Sequence, residues 1–308
     1  MKNFDEIYKK LQLNHSVELN NLRNKCKKKI LLVKYYILFL IILAIILESL
    51  NYVFIYKDYK AVFYVITILI MALFINYLKK ILNYKKIKYP ASEQIKIIND
   101  KNMINYVDYF KNQLIKDLIH EVNENIIYSS KTGLNEDIYL RFFDGLDYKK
   151  YTKYISEDYM KISNTWIYDV STYRNETNNI KNEFKIFSGL ISISETKNSA
   201  DFMICPINNN YNINLKKIKN YKKFSLYGNN VELDDNIIED FNHFIDYTGS
   251  SFDLICKDHT ILIRGHFNCM FDPNIYIGYM PKKLLYTYYR NLYEFLLLIK
   301  KVNDYFNH

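Results

Sequence analysis

FDLICKDHTILIRGHF, residues 252–267, decides how the second half of this chain is read. Phe252–Cys256 and Ile261–Phe267 are short apolar runs. The polar Lys257-Asp258-His259-Thr260 lies between them, so the stretch predicts a β-hairpin. Upstream, Trp166–Val170, Phe184–Ser194 and Asp201–Cys205 have the same texture and predict further strands. Asn236–Tyr247 predicts a helix, because Ile237, Ile238, Phe241, Phe244 and Ile245 share one face. Asp234 or Asp235 is placed to cap it. Downstream, Pro281–Phe306 predicts a closing helix with Leu284, Leu285, Tyr288, Leu292, Phe295, Leu296 and Ile299 along its buried stripe. Pro281 suits its first turn.

Before the strands, a 3/4 spacing over Met103, Ile104, Val107, Phe110, Leu114, Ile115, Leu118, Ile119 and Val122 predicts a long amphipathic helix. Asn99 or Asp100 could start it as a cap. Such a stripe predicts core packing first, and a partner-binding or dimerising face around Phe110 and Leu114 second. Helices thus bracket a mainly antiparallel sheet, an α+β pattern. Ile207–Asn212, INNNYN, is the most loop-like segment.

Near the N-terminus stand two apolar runs, Ile30–Leu47 (ILLVKYYILFLIILAIIL) and Ala61–Leu78 (AVFYVITILIMALFINYL). Each holds 18 mostly apolar residues, close to the ~20 that a helix needs to cross a bilayer. Both are apolar on every face, which favours lipid over a soluble core. They predict a two-helix transmembrane hairpin. Arg23, Lys25, Lys27, Lys28 and Lys29 precede the first run, and Lys79, Lys80, Lys85, Lys86 and Lys88 follow the second. Only Lys57 and Lys60 lie between. Basic residues near a span tend to stay inside, so both termini are expected in the cytoplasm of a multi-pass plasma-membrane protein. Lys34 can snorkel to the headgroups. The expected division is a cytoplasmic N-terminal helical segment (1–29), the hairpin (30–80, with spans at about 30–47 and 61–78) and a cytoplasmic α+β domain (90–308). Phe4, Ile7, Tyr8 and Leu11 share a face in the first segment. Tyr89-Pro90 is expected to break the second membrane helix or its extension.

The formal charge of +9 is concentrated at these membrane edges, where it fits attraction to anionic headgroups. Nucleic-acid binding is disfavoured, because no basic stripe interleaved with aromatics stands elsewhere. Four cysteines, Cys26, Cys205, Cys256 and Cys269, are too sparse for a disulfide scaffold and fit a reducing compartment.

Several segments follow one another in the order of a known bacterial family. Tyr151–Ile162 (YTKYISEDYMKI) carries an aromatic, a Glu-Asp pair and an apolar residue. Trp166–Tyr173 (WIYDVSTY), Phe184–Gly189 (FKIFSG) and Val231–Phe244 (VELDDNIIEDFNHF) come next, then Phe252–Ile263 and the Tyr-rich last helix. In this order the chain, from Met103 to Phe306, resembles the bacterial membrane-protein family filed as domain of unknown function 3137. The resemblance implies an N-terminal membrane hairpin, a helical stretch and an α+β cytoplasmic domain. It implies no activity, cofactor or site residue.

The sharpest chemical pattern is Cys256-x-x-His259 followed by His266-x-x-Cys269, all residue types that bind zinc. A hairpin argues against one shared metal, because it would put His266 about 20 Å along the strand from the turn at His259. Glu157-Asp158 and the acids Asp234, Asp235, Glu239 and Asp240 could do acid–base work or hold magnesium. Such clusters are more often solvated turns and helix starts. Cys205 and Cys256 have no histidine placed beside them by the sequence. No phosphate loop, dinucleotide fingerprint or HExxH helix is present. The reading is a membrane-anchored protein whose cytoplasmic domain binds a ligand or a protein, with no recognisable catalytic set and no cofactor. A membrane-tethered hydrolase or metal-dependent enzyme, with Asp158 or Cys256 as its test residues, is the first alternative. A homo-oligomeric membrane scaffold is the second.

Overall fold

The structure, a computed structural model, describes residues 2–53, 65–76, 101–143, 151–175, 183–197, 201–207, 211, 214–229, 231–267, 270–273, 278 and 280–307. The fold is α+β, with a large antiparallel sheet and flanking helices. Asn99, Asp100, Tyr89-Pro90 and most of INNNYN lie outside the described residues.

The first helix, α1 (Phe4–Val53), runs without a break from the polar segment through the first apolar run. Phe4, Ile7 and Leu11 are buried, as their shared face predicts. Residues 65–76 form α2, inside the second run. Among the described residues, no helix is long and apolar enough to cross a membrane. In the first run, the side chains of Ile30, Leu31, Val33, Lys34, Ile37, Ala44 and Leu47 lie outside the description, as do Ala61–Tyr64, Tyr77 and Leu78 of the second. The described part of α1 is nonetheless lined with solvent-facing apolar side chains, including Leu32 (67% exposed), Phe39 (57%) and Ile45 (60%). Of the flanking bases, Lys25, Lys27 and Lys28 are exposed and Arg23 is half-buried. The side chain of Lys29 and the whole of Lys79, Lys80, Lys85, Lys86 and Lys88 lie outside the described residues.

Next come α3 (Lys101–Tyr109), a π-helical segment (Phe110–Ile115) and α4 (Lys116–Val122). Most of the predicted stripe is buried: Met103, Val107, Phe110, Leu114, Ile115, Leu118 and Ile119 are all at most 3% exposed, whereas Ile104 is 38% exposed and Val122 is half-buried. Phe110 and Leu114 are therefore packed within this chain, as the core reading expects.

The strands are β1 (Ile127–Ser129), β2 (Lys153–Ile162), β3 (Thr165–Asn175), β4 (Glu183–Glu195), β5 (Phe202–Pro206), β6 (Lys217–Asn220), β7 (Phe224–Gly228), β8 (Phe252–Lys257) and β9 (Thr260–Gly265). Among the described residues they form one nine-stranded sheet in the order β1-β2-β3-β4-β9-β8-β5-β7-β6. The predicted hairpin, β8–β9, sits at its centre. Cys256 pairs with Ile261 and Phe252 with Gly265. A strand's side chains alternate between faces, so a central hairpin covered on both sides is apolar in both phases. Phe252, Leu254 and Cys256 share one face with Phe202, Ile204 and Ile263. Asp253 and Ile255 share the other with Arg264 and Leu262.

Two helices, α6 (Asp235–Thr248) and α7 (Lys282–Asn307), contribute Phe241, Phe244 and Phe295 to an aromatic cluster with Phe224, Phe252 and Phe267. Asp234 caps α6: its carboxylate accepts from the Ile237 N–H at 2.9 Å. Gly249 ends the helix at φ 67°, the left-handed conformation that glycine adopts without steric cost. The short helix α5 (Glu136–Phe143) contributes Tyr139 and Phe143 to a second core, with Val170, Phe187, Ile191, Met203, Ile255 and Leu262.

The chain divides into two compact units. One comprises Met1–Asn14, Lys111–Asp272 and Pro281–His308, and so holds the whole sheet; the other comprises His15–Phe110 and Pro273–Met280.

Candidate functional site

Two charged networks are buried in the unit that holds the sheet. The first is centred on Lys111, which is 3% exposed. It lies in the π-helical segment, an arrangement found mostly as single turns and often at functional positions. Its ammonium donates to Asp158 Oδ2, to Glu157 Oε2 at 2.9 Å, and faces Asp272 Oδ1 at 3.4 Å.

Asp158 reaches it through a β-bulge. The register of β2 against β3 shifts between Glu157 and Tyr159, leaving Asp158 unpaired at φ 57°. Aspartate is one of the few non-glycine residues that tolerate this conformation. Two successive residues, Glu157 and Asp158, are thereby turned toward one ammonium, although a regular strand would send them to opposite faces. Tyr128 on β1 donates to the other oxygen of Asp158, and Asp169 stands across the ladder from Glu157.

Burial alone would depress the Lys111 ammonium, but the charges of Asp158, Asp272 and Glu157 outweigh it and hold the group well above the usual lysine range. Burial pushes the Asp158 carboxyl up to about 6, against the pull of Lys111. It also pushes Asp169 well above the usual carboxylate range, reinforced by Asp272 and Asp158. Three carboxyls thus share one ammonium, with Asp169 a fourth beside them, so the cluster favours proton uptake. Among the described residues, no group of three or more His, Cys, Asp or Glu side chains could hold a metal ion. The centre of this cluster is occupied by the ammonium of Lys111 itself.

The second network lies on the face of β8 and β9 that carries Ile255 and Leu262. Asp253 is fully buried. Its Oδ2 accepts from Arg264 Nε at 2.6 Å, faces His266 Nε2 at 2.7 Å and lies 3.4 Å from the Tyr211 hydroxyl. Its Oδ1 has no hydrogen-bond partner among the described residues. Burial alone would raise this carboxyl, but Arg264 and His266 hold it below the usual carboxylate range. Arg264, 1% exposed, spends its other nitrogens on Tyr139 and Tyr211 and is sandwiched by the rings of Phe143 and Phe187 at 4.8 and 4.7 Å. His266 keeps 24% of its side chain exposed. Its Nε2 faces Asp253, which holds the ring beside the buried carboxylate.

The zinc-type residues are spread along the hairpin. Cys256 is buried within β8, and burial pushes its thiol up to about 11, away from the nucleophilic thiolate. His259 stands in the exposed β8–β9 turn at φ 57°. His266 follows the far end of β9 and belongs to the Asp253 network. Cys269 lies outside the described residues. Cys205 is buried in β5. Asp234 and Asp235 open α6 as a helix start, as expected. The solvated-turn reading of Glu157-Asp158 is corrected: they are 8% and 0% exposed, because the bulge turns them onto a buried lysine.

The sequence reading passed over Lys111, Asp169, Asp253, Arg264 and Asp272. A signal existed for three of them. Lys111 sits in the phase of the apolar helical stripe, while Asp253 and Arg264 interrupt the apolar runs of the central hairpin. A charge at a core position implies a buried partner. Comparison with protein families, characterised proteins and solved structures found no match to this chain.

Proposed function

We propose that this is a membrane-anchored protein whose α+β unit is a cytoplasmic binding module. The observation that carries the anchor is the row of outward-facing apolar side chains on α1, from Leu32 to Ile46, continued by Ile68 and Leu69 on α2. Apolar surface of that extent needs a cover, and a bilayer supplies one where the sequence is apolar on every face. The basic flanks support cytoplasmic termini. The resemblance of the motif order to the domain of unknown function 3137 family would imply the same layout. In the unit that holds the sheet, the most unusual charged groups are used within the chain. Lys111 and Arg264 are both consumed by internal partners, as structural cross-links are.

Side-specific thiol labelling tests the anchor. A single cysteine replaces Tyr56, or separately a residue near the C-terminus, in a chain without native cysteines. An impermeant reagent applied to intact cells should label the first site and spare the second. Labelling of the C-terminal site, or recovery of the chain in the soluble fraction, overturns the proposal.

A further inference from the structure

Between α6 and α7 lies a cavity of about 370 Å³, within the size range of small-molecule sites. Helical spacing builds it: Glu294, Leu297, Leu298 and Lys301 recur along one face of α7, and Asp240 and His243 face them from α6. The apolar wall is formed by Leu297, Leu298 and the ring of Tyr293.

Glu294 is the unusual member. It is 7% exposed and makes no hydrogen bond among the described residues. Its nearest ionic neighbour, His243 Nδ1, is 3.8 Å away, beyond hydrogen-bond reach. Of the other cations that act on it, Lys301 and Arg290 are engaged elsewhere. Lys301 is paired with Asp240, and Arg290 donates to the Thr248 carbonyl and to Asn291. Burial holds the carboxyl of Glu294 above its usual range. Most of the Glu294 side chain is buried and its carboxylate borders the cavity with no hydrogen-bond donor, so a cation entering the cavity would find an acceptor there.

We propose that this cavity binds a small organic cation, an ammonium group on an apolar body, with the ammonium donating to Glu294 and the body against Tyr293, Leu297 and Leu298. The ammonium supplies both the charge and the N–H donors that Glu294 lacks, and an apolar body matches the leucine wall. A free amine and the amine of a lipid headgroup share this chemistry. The inference rests on reading the α+β unit as a binding module and does not depend on the anchor.

Calorimetric titration of benzylamine into the purified full-length chain tests it. Saturable binding is expected, weakened at least tenfold by Glu294→Gln, which keeps shape and removes charge. Benzyl alcohol should bind the two proteins alike. Leu297→Trp, which fills the cavity and leaves the carboxylate, should also abolish benzylamine binding and serves if Glu294→Gln does not fold. Displacement of benzylamine by phosphatidylethanolamine vesicles would support the site with the headgroup as ligand; failure to displace would support it with a free amine. Equal affinity of wild type and Glu294→Gln, or no saturable binding to wild type, overturns the proposal. Either result leaves the thiol-labelling test of the anchor unaffected.

Discussion

Lys111 and Asp158, 47 residues apart in sequence, form an ion pair with side chains 4% and 0% exposed. The pair ties the π-helical segment to the bulge of β2, and Asp272 adds the segment before α7. Removing one partner of such a pair strands the other charge in a poorly solvated place.

Replacing Lys111 with Met should therefore cost ~3–5 kcal/mol of unfolding free energy. Lys223→Met, which removes a partner of the exposed Asp246 carboxylate, should cost no more than ~1 kcal/mol. Urea denaturation of the three proteins measures both. Similar losses for the two variants would show that the Lys111 cluster is not a cross-link.

The same cluster sets a pH dependence. Asp158 and Asp169 have their carboxyls raised in the folded chain, so the folded chain holds protons that the unfolded chain has released. Stability from these groups is present at low pH and declines as pH rises from the ordinary aspartate value near 3.8 through about 6 for Asp158. Asp169→Asn mimics the neutral acid and should raise the melting temperature more at pH 7 than at pH 5. An equal shift at both would show that Asp169 does not hold a proton in the folded chain.

Asp253 has the opposite sign. Its carboxyl is lowered by Arg264 and His266, so its contribution is present above the ordinary aspartate range and is lost as acid protonates it. Arg264→Met should cost ~3–5 kcal/mol by leaving Asp253 buried and unpaired. Arg264→Lys should recover little, because one ammonium cannot match a planar fork that reaches Asp253, Tyr139 and Tyr211 at once. Thermal unfolding checks this; full recovery by lysine would reduce the role of Arg264 to its charge.

A methyl group at Gly189 would fall 1.9 Å from the Gly265 carbonyl oxygen, at the end of the pairing of β4 with β9, which begins at Leu190 and Gly265. Gly189→Ala should thus cost ~3 kcal/mol or more, since backbone rather than a movable side chain is in the way. A near-native denaturation midpoint would mean that the two strands separate without loss.

The α+β class was legible where local chemistry repeats. The hairpin at 252–267 and the helices after Asp234 and Pro281 follow from apolar periodicity, a cap and turn residues, all read within a few positions. The edge strand β6 was not legible. KIKN is short, exposed and rich in lysine, the composition that protects an edge from further pairing while concealing its strand character. Nor was the bulge at Asp158 legible, because an acidic pair in YISEDYMKI looks the same whether it meets water or a lysine.

By itself the sequence determined the antiparallel hairpin, the cap of α6 and the apolar runs of α1 and α2, since each depends on neighbours in the chain. Only the tertiary structure decided that Lys111 meets Asp158, that His266 joins Asp253 rather than His259, and that Glu294 faces a cavity. Those relationships join residues separated by turns, strands and whole helices. A charge's partner is set by which surfaces pack together, and that is a property of the assembled core.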